Sequence, residues 1–91
     1  MAVVLRADGT ETTLDDLSLA SMQAAVGGYI ERVRLSDNRE MWVNEDGISM
    51  QLPFNLRATQ LRNALAYVDH MPILGDVIIV APGEKPRPDD D

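Results

Sequence analysis

The chain contains no cysteine and a single histidine, His70. Without cysteine there are no disulfides, no thiolate nucleophile and none of the usual structural zinc ligands. One histidine cannot supply a multi-histidine metal site. Aromatic side chains are also scarce: Tyr29, Trp42, Phe54 and Tyr67 are all of them. A core must therefore come mainly from Val, Leu, Ile, Met and Ala. No apolar run approaches the roughly 20 residues that a membrane-spanning helix needs. No basic segment leads into an apolar stretch of signal-peptide length. A soluble, cytoplasmic protein is the expectation.

What is present fits one small domain. At 91 residues the chain can bury only a modest core. Its hydrophobic fraction of 45% is too high for a disordered chain. The formal net charge of −7 repels phosphate and anionic lipid, so neither nucleic acid nor membrane is an expected partner. Part of that charge sits in Asp89-Asp90-Asp91, and the remaining acids are scattered.

Periodicity gives the elements. Residues 2–7 read as a strand, Asp8-Gly9 as a two-residue hairpin turn, and residues 10–14 as a polar edge strand. Ser18 caps a helix over residues 19–26, with Leu17 and Met22 placed as a hydrophobic staple. Asp15 and Asp16 suit the positive end of that helix. Gly27-Gly28 ends it and turns the chain at once into β-forming residues. Strands follow at 29–35 and 40–44, joined by Ser36-Asp37-Asn38. Ile48, Met50 and Leu52 alternate with Ser49 and Gln51, which predicts a third strand of a meander. Asn55 caps a second helix over residues 56–68, with Leu61, Leu65 and Val68 as its apolar stripe. Arg57, Gln60, Arg62 and Asn63 are expected to face water. The unbroken run Val77-Ile78-Ile79-Val80-Ala81 predicts a strand buried on both faces, at the centre of the sheet or inside a subunit contact. The fold class is α+β: a mostly antiparallel sheet of about five strands with two helices on one face. Both a ferredoxin-like and a β-grasp-like arrangement fit. The domain spans residues 1–81, and residues 82–91 read as a flexible, acidic, proline-rich tail.

These pieces carry a resemblance. Gln23-x-x-Val26-Gly27-Gly28-Tyr29-Ile30-Glu31 comes first, then Asn44-Glu45-x-Gly47. Leu52-Pro53-x-Asn55 follows with Ala58-Thr59, and Gly75-Asp76-Val77 comes last. In that order and spacing the chain resembles the family known as domain of unknown function 3846. The resemblance implies a small protein of the type carried by phages, plasmids and their bacterial hosts. It implies no established activity and transfers no catalytic residue. The setting suggests an accessory role on host machinery or host defence.

The polar residues that could form a site are Tyr29, Glu31, Asn44, Glu45, Asn55, Arg57 and Thr59. Amides, carboxylates and a guanidinium could together read a small polar, nucleotide-like ligand. The plainer reading makes Asn44 a turn residue and Asn55 a helix cap. Gly27-Gly28 follows a helix and lacks the Lys-Ser/Thr ending of a phosphate loop. The Asp69-His70 pair is better explained by the helix C-terminus than by acid–base work. Trp42 points away from Met41 and Val43, and so predicts an interface, as in a symmetric homodimer.

No catalytic constellation, metal site or cofactor is expected. The expected function is non-enzymatic binding of a host protein or a small polar ligand, in the host cytoplasm if phage-encoded. The alternatives are a small enzyme using Glu31 or Glu45 as a base on a nucleotide-like substrate, and an acidic DNA mimic. Joint replacement of Asn44 and Asn55 by Ala separates site from scaffold: a site loses its ligand with the fold intact, whereas caps and turns lose the fold.

Overall fold

In the computed structural model, which describes residues 1–66 and 71–89, two hairpins turn in the same way. The first joins β1 (Ala2–Leu5) to β2 (Glu11–Leu14) in antiparallel register from Ala2↔Leu14 to Leu5↔Glu11. Its turn is one residue longer than the expected Asp8-Gly9 pair. Arg6 N donates to the Thr10 carbonyl and Gly9 N to the Arg6 carbonyl, both at 2.9 Å. Gly9 takes a left-handed φ of 92°. Asp8 Oδ1 accepts from the Thr10 amide at 2.9 Å and its hydroxyl at 2.7 Å, which fixes the turn locally. The second hairpin joins β3 (Ile30–Arg34) to β4 (Glu40–Asn44). Leu35 N donates to the Arg39 carbonyl at 3.0 Å, and Asp37 Oδ1 accepts the Arg39 amide at 3.2 Å. Asn38 holds the left-handed place at φ 70°, as Asn can and most residues resist.

The last strand, β5 (Val77–Val80), lies between the two hairpins. The sheet order is β2-β1-β5-β4-β3, with every neighbouring pair antiparallel. All four β5 side chains are buried, as the unbroken apolar run requires. Ile78 and Val80 face one way with Ala2, Val4 and Trp42; Val77 and Ile79 face the other with Leu5, Met41 and Val43. Each face has its own helix. Leu17, with Met22 and Val26 of α1 (Leu19–Val26), covers the first face, and Ala58 of α2 (Leu56–Leu65) covers the second. The expected placement of both helices on one face is therefore corrected, and the two topologies considered are not realised. A strand buried on both sides needs a cover on both sides. α1 links the two edge strands across one face, and α2 links the neighbours β4 and β5 across the other.

The ends of α1 follow the sequence closely. Ser18 Oγ accepts the Ser21 amide at 3.3 Å, and Asp16 Oδ1 accepts the Ser18 amide at 3.0 Å. Gly27 is left-handed at φ 81°, and both Gly27 N and Gly28 N return to the Gln23 carbonyl. The second glycine has a different cause. A Cβ on Gly28 would stand 2.9 Å from Asn44 Nδ2. That amide donates to the Val26 carbonyl at 3.0 Å, satisfying an orphan acceptor of the helix end.

The predicted third strand of the meander does not form. Met50 N bonds to the Asp46 carbonyl, Gln51 N to Ile48, and Leu52 N to Gly47. These local bonds wind the segment into a turn that ends at left-handed Gln51, φ 55°. Ile48 is consequently 60% exposed and Met50 49%. Alternation was present, but the backbone groups found nearer partners. The chain then pairs with the segment ahead of β5: Asn55 N donates to the Ile73 carbonyl at 2.9 Å and Gly75 N to the Pro53 carbonyl at 2.7 Å.

Asn55, 1% exposed, does more than cap α2. Its Oδ1 accepts the Ala58 amide at 3.0 Å. Its Nδ2 donates to the Leu5 carbonyl at 3.0 Å and the Gly75 carbonyl at 2.9 Å. Thr59 Oγ1 donates to the Asn55 carbonyl at 2.8 Å and accepts the Ile73 amide at 2.9 Å. α2 ends at Leu65, short of the expected Val68: Ala66 is already extended at φ −133°, ψ 142°. The Asp69-His70 pair lies outside the described residues.

The segment after Ala81 contacts the body. Arg87 N donates to the Leu17 carbonyl at 2.8 Å, and its guanidinium meets Asp16 Oδ1 at 3.0 Å. Glu84 accepts the Ala81 amide at 2.9 Å and lies 3.1 Å from the Met1 amine. The Ala81 amide, aided by that amine, holds the Glu84 carboxyl below the usual glutamate range against the opposing effect of burial.

For a simple cap, Asn55→Asp is nearly neutral. Here it turns two buried donors into a carboxylate facing two carbonyls, so denaturant unfolding should show a loss of about 2–4 kcal/mol, as for Asn55→Ala. Gly28→Ala should cost about 1–3 kcal/mol by the same measurement, through overpacking against Asn44. Because the Glu84 pKa is lowered by folding, its contribution is whole above the ordinary glutamate range and lost as pH falls through the depressed value. On acidification the Arg87 amide resonance should leave its native position in the wild type at low pH. In Glu84→Gln it should already be displaced at neutral pH.

Candidate functional site

α2 covers its face of the sheet thinly. Among its described residues only Ala58 and Arg62 are buried. One cleft of about 300 Å³ opens over β3 and β4. Its floor is Glu31, Val33 and Val43, and its walls are the turn at 45–49 and the segment Pro72, Ile73 and Leu74. Glu31 pairs with Val43 across β3 and β4, and Val33 with Met41, so strand alternation puts Glu31, Val33 and Val43 on the α2 face. A second groove, of about 500 Å³, is floored by Val3, Leu5 and Ile79 and edged by Glu11, Arg39 and Arg57.

The residues expected to form one site are divided. Glu31, Asn44 and Glu45 line the first cleft. Asn44 contributes to its rim while its side-chain amide turns to the α1 face, donating to Val26 and accepting the Asp46 amide at 2.8 Å. Arg57 lies at the second groove, ion-paired with Glu11 and 3.4 Å from the Gly9 carbonyl. Tyr29 is 66% exposed and lines neither cavity. Asn55 and Thr59 are committed to the scaffold bonds described above. Trp42, expected at an interface, is instead 5% exposed beneath α1 within the chain's own core. The Arg32 guanidinium lies 5.9 Å from its ring centroid.

Arg62 is the residue that the pattern misplaced. Expected to face water, it is 5% exposed and lines the first cleft. Its Nε and Nη2 donate to Asn63 Oδ1 at 3.3 Å and 3.1 Å, and Nη2 also donates to the Met71 carbonyl. No carboxylate pairs with it among the described residues. Its Nη1 has no hydrogen-bond partner there either. The residue is largely withdrawn from water and met by neutral acceptors, which is costly for a cation, while Nη1 is not among the fully buried atoms that lack a partner. The available signal was its spacing of four from Ala58, which puts both on the buried side of the helix.

The carboxylates with lowered pKa lie elsewhere. Asp8 is lowered by the Thr10 hydroxyl and amide, and Asp16 by the Ser18 amide and hydroxyl with help from Arg87. In Asp37 desolvation is the largest single effect and works upward, but the bonds and charge of Arg39 together outweigh it. These are turn and cap interactions, distant from the cleft in role. Among the described residues, no group of three or more His, Asp or Glu side chains is arranged to hold a metal ion. No helix there is long and apolar enough to cross a membrane.

No curated protein and no solved structure matches the chain. A family model described as a domain of unknown function, DUF3846, matches residues 1–89. That span runs from β1 through the returning segment that carries Arg87, so hairpins, helices, cleft and strap all fall inside it. The chain belongs to the DUF3846 family.

Proposed function

We propose that this chain is a non-enzymatic binding protein that holds a small polar ligand in the cleft between β3, β4 and the segment ahead of β5. The observation that carries this reading is Arg62, 5% exposed and met by no carboxylate among the described residues, in one cleft lining with two carboxylates, Glu31 and Glu45. Such a lining offers donors, acceptors and apolar surface together. It suits orientation of a ligand by a few polar groups in a mainly pre-formed hollow. The wall hydroxyl, Ser49 Oγ, donates to the Asp46 carbonyl at 3.4 Å, an engagement with the backbone that favours holding over bond-making.

A protein partner is the second reading. It is supported by exposed apolar side chains along the turn and the start of α2: Ile48, Met50, Phe54 and Leu56. A host protein captured there would need no cleft.

Mass spectrometry of protein purified from its native host, after denaturation, should release a chemically unchanged small molecule. In the Glu31→Gln, Glu45→Gln variant, whose changed groups are exposed, that molecule should be depleted about tenfold or more while the thermal midpoint stays within a few degrees. Substoichiometric conversion of the molecule by the wild type would replace this reading with catalysis. Retention of a protein that is lost in Ile48→Glu, with no small molecule released, would favour the second reading.

A further inference from the structure

We propose that β3 is a docking edge for an extended segment of a partner protein, which joins the sheet as an antiparallel strand with acidic residues opposite Arg32 and Arg34. The proposal depends on neither reading above.

The backbone comes first. β3 is an end strand of the sheet. Leu35 N donates to the Arg39 carbonyl and Glu45 N to the Tyr29 carbonyl, which sets the phase of the ladder with β4. Bonded and non-bonded positions alternate along an antiparallel pair. Tyr29, Glu31, Val33 and Leu35 therefore turn their backbone groups toward β4, and Ile30, Arg32 and Arg34 turn theirs outward. Those outward N–H and carbonyl groups have no partner among the described residues. An open edge of this kind is a template for another strand. β2, the other end strand, is already engaged by Arg57, which bonds Glu11 and the Gly9 carbonyl.

The side chains select the occupant. On the α1 face of β3, Arg32 and Arg34 are exposed beside the half-buried Ile30. Arg32 lies over the Trp42 ring, with Glu40 at 3.5 Å. Arg34 has no ion-pair partner among the described residues. Glu31 and Val33 stand on the α2 face. A second copy fits this edge badly. Antiparallel self-pairing must set outward positions against outward positions. Full overlap places Arg32 opposite its own copy, and the neighbouring registers place Glu31 opposite Glu31 or Arg32 opposite Arg34. Like charges directly opposite one another are destabilising. A foreign strand escapes that conflict. Its first, third and fifth residues meet Arg34, Arg32 and Ile30, and its second and fourth meet Val33 and Glu31. The complementary order is acid, apolar, acid, base, apolar. The base between the acids keeps the segment's net charge small, so the −7 of the chain opposes it only weakly. Main-chain bonds then supply affinity, and alternate side chains supply specificity.

Isothermal titration and amide exchange of the full chain with an end-blocked peptide containing Glu-Val-Glu-Lys-Val test this. The peptide should bind at one per chain, and the Ile30, Arg32 and Arg34 amides should gain protection from exchange. N-methylation of its first, third or fifth residue removes an N–H that faces β3 and should abolish binding. N-methylation of the second or fourth should weaken it far less. Reversing the peptide's charges should weaken binding by about tenfold or more. Arg34→Glu changes an exposed side chain and should lose a similar factor. A peptide with Lys as its first residue should restore that loss, which a damaged fold would not permit. Absence of binding, equal tolerance of N-methylation at every position, or protection at other amides would overturn the proposal. So would concentration-dependent dimers that protect the same amides without peptide, which would give the edge to a second copy. The small-ligand reading is tested separately, by the molecule that co-purifies.

Discussion

One buried amide organises this molecule. Asn55 joins the end of β1, the approach to β5 and the first turn of α2 through three hydrogen bonds, and it exhausts its donors in doing so. Buried carbonyls without partners are costly, so the amide leaves little freedom in how these parts meet. Beside it, Asp76 accepts the Ala7 amide at 2.8 Å and meets Arg6 at 3.2 Å, which secures the base of the first hairpin to β5. The start of α2 is thereby fixed relative to the sheet, and Arg62 lies about one helical turn beyond Ala58. The cleft is thus a consequence of where Asn55 anchors its helix.

The two faces of the sheet are not equivalent. α1 lays Met22 and Val26 on a continuous layer with Trp42 and Ile78. α2 offers the other layer little more than Ala58 and the half-buried Leu61. The thin cover leaves hollows beside the second helix, and both mix apolar and charged side chains in their linings. Stability is concentrated on the α1 face, and the chemically varied surface on the α2 face. A small domain has little core to spare, so this division lets one side remain open without exposing the whole interior.

Much of the architecture was legible. Ser18, the first of the two glycines and the apolar run at β5 each have a single strong local meaning, and each means the same thing in the fold. The two-sided burial of β5 also implied helices on both faces, an implication that hydrophobic periodicity does not state outright. The failed strand at 48–52 shows the limit. Its alternation was as good as any in the chain, yet the backbone closed on Asp46, Gly47 and Ile48 instead. Pairing partners are a property of the whole chain, and a side-chain pattern does not specify them. The cleft was half visible for the same reason. Glu31 could be placed near Asn44 by hairpin logic, whereas Arg62 joined their cleft only through the packing of α2. Asn44 and Asn55 were noticed for their polarity. Their importance lies in backbone carbonyls distant in sequence, which no local window contains.

The sheet order bears on how the chain is made. β1 and β4 are not neighbours in the sheet; β5, which follows both hairpins in the chain, lies between them. Each hairpin can close as soon as it is synthesised, since its turn is determined locally. The two then wait, with apolar strand edges open, until residues 77–80 arrive to zip between them. A chain cut short before β5 would display two unsealed edges, the form most exposed to aggregation.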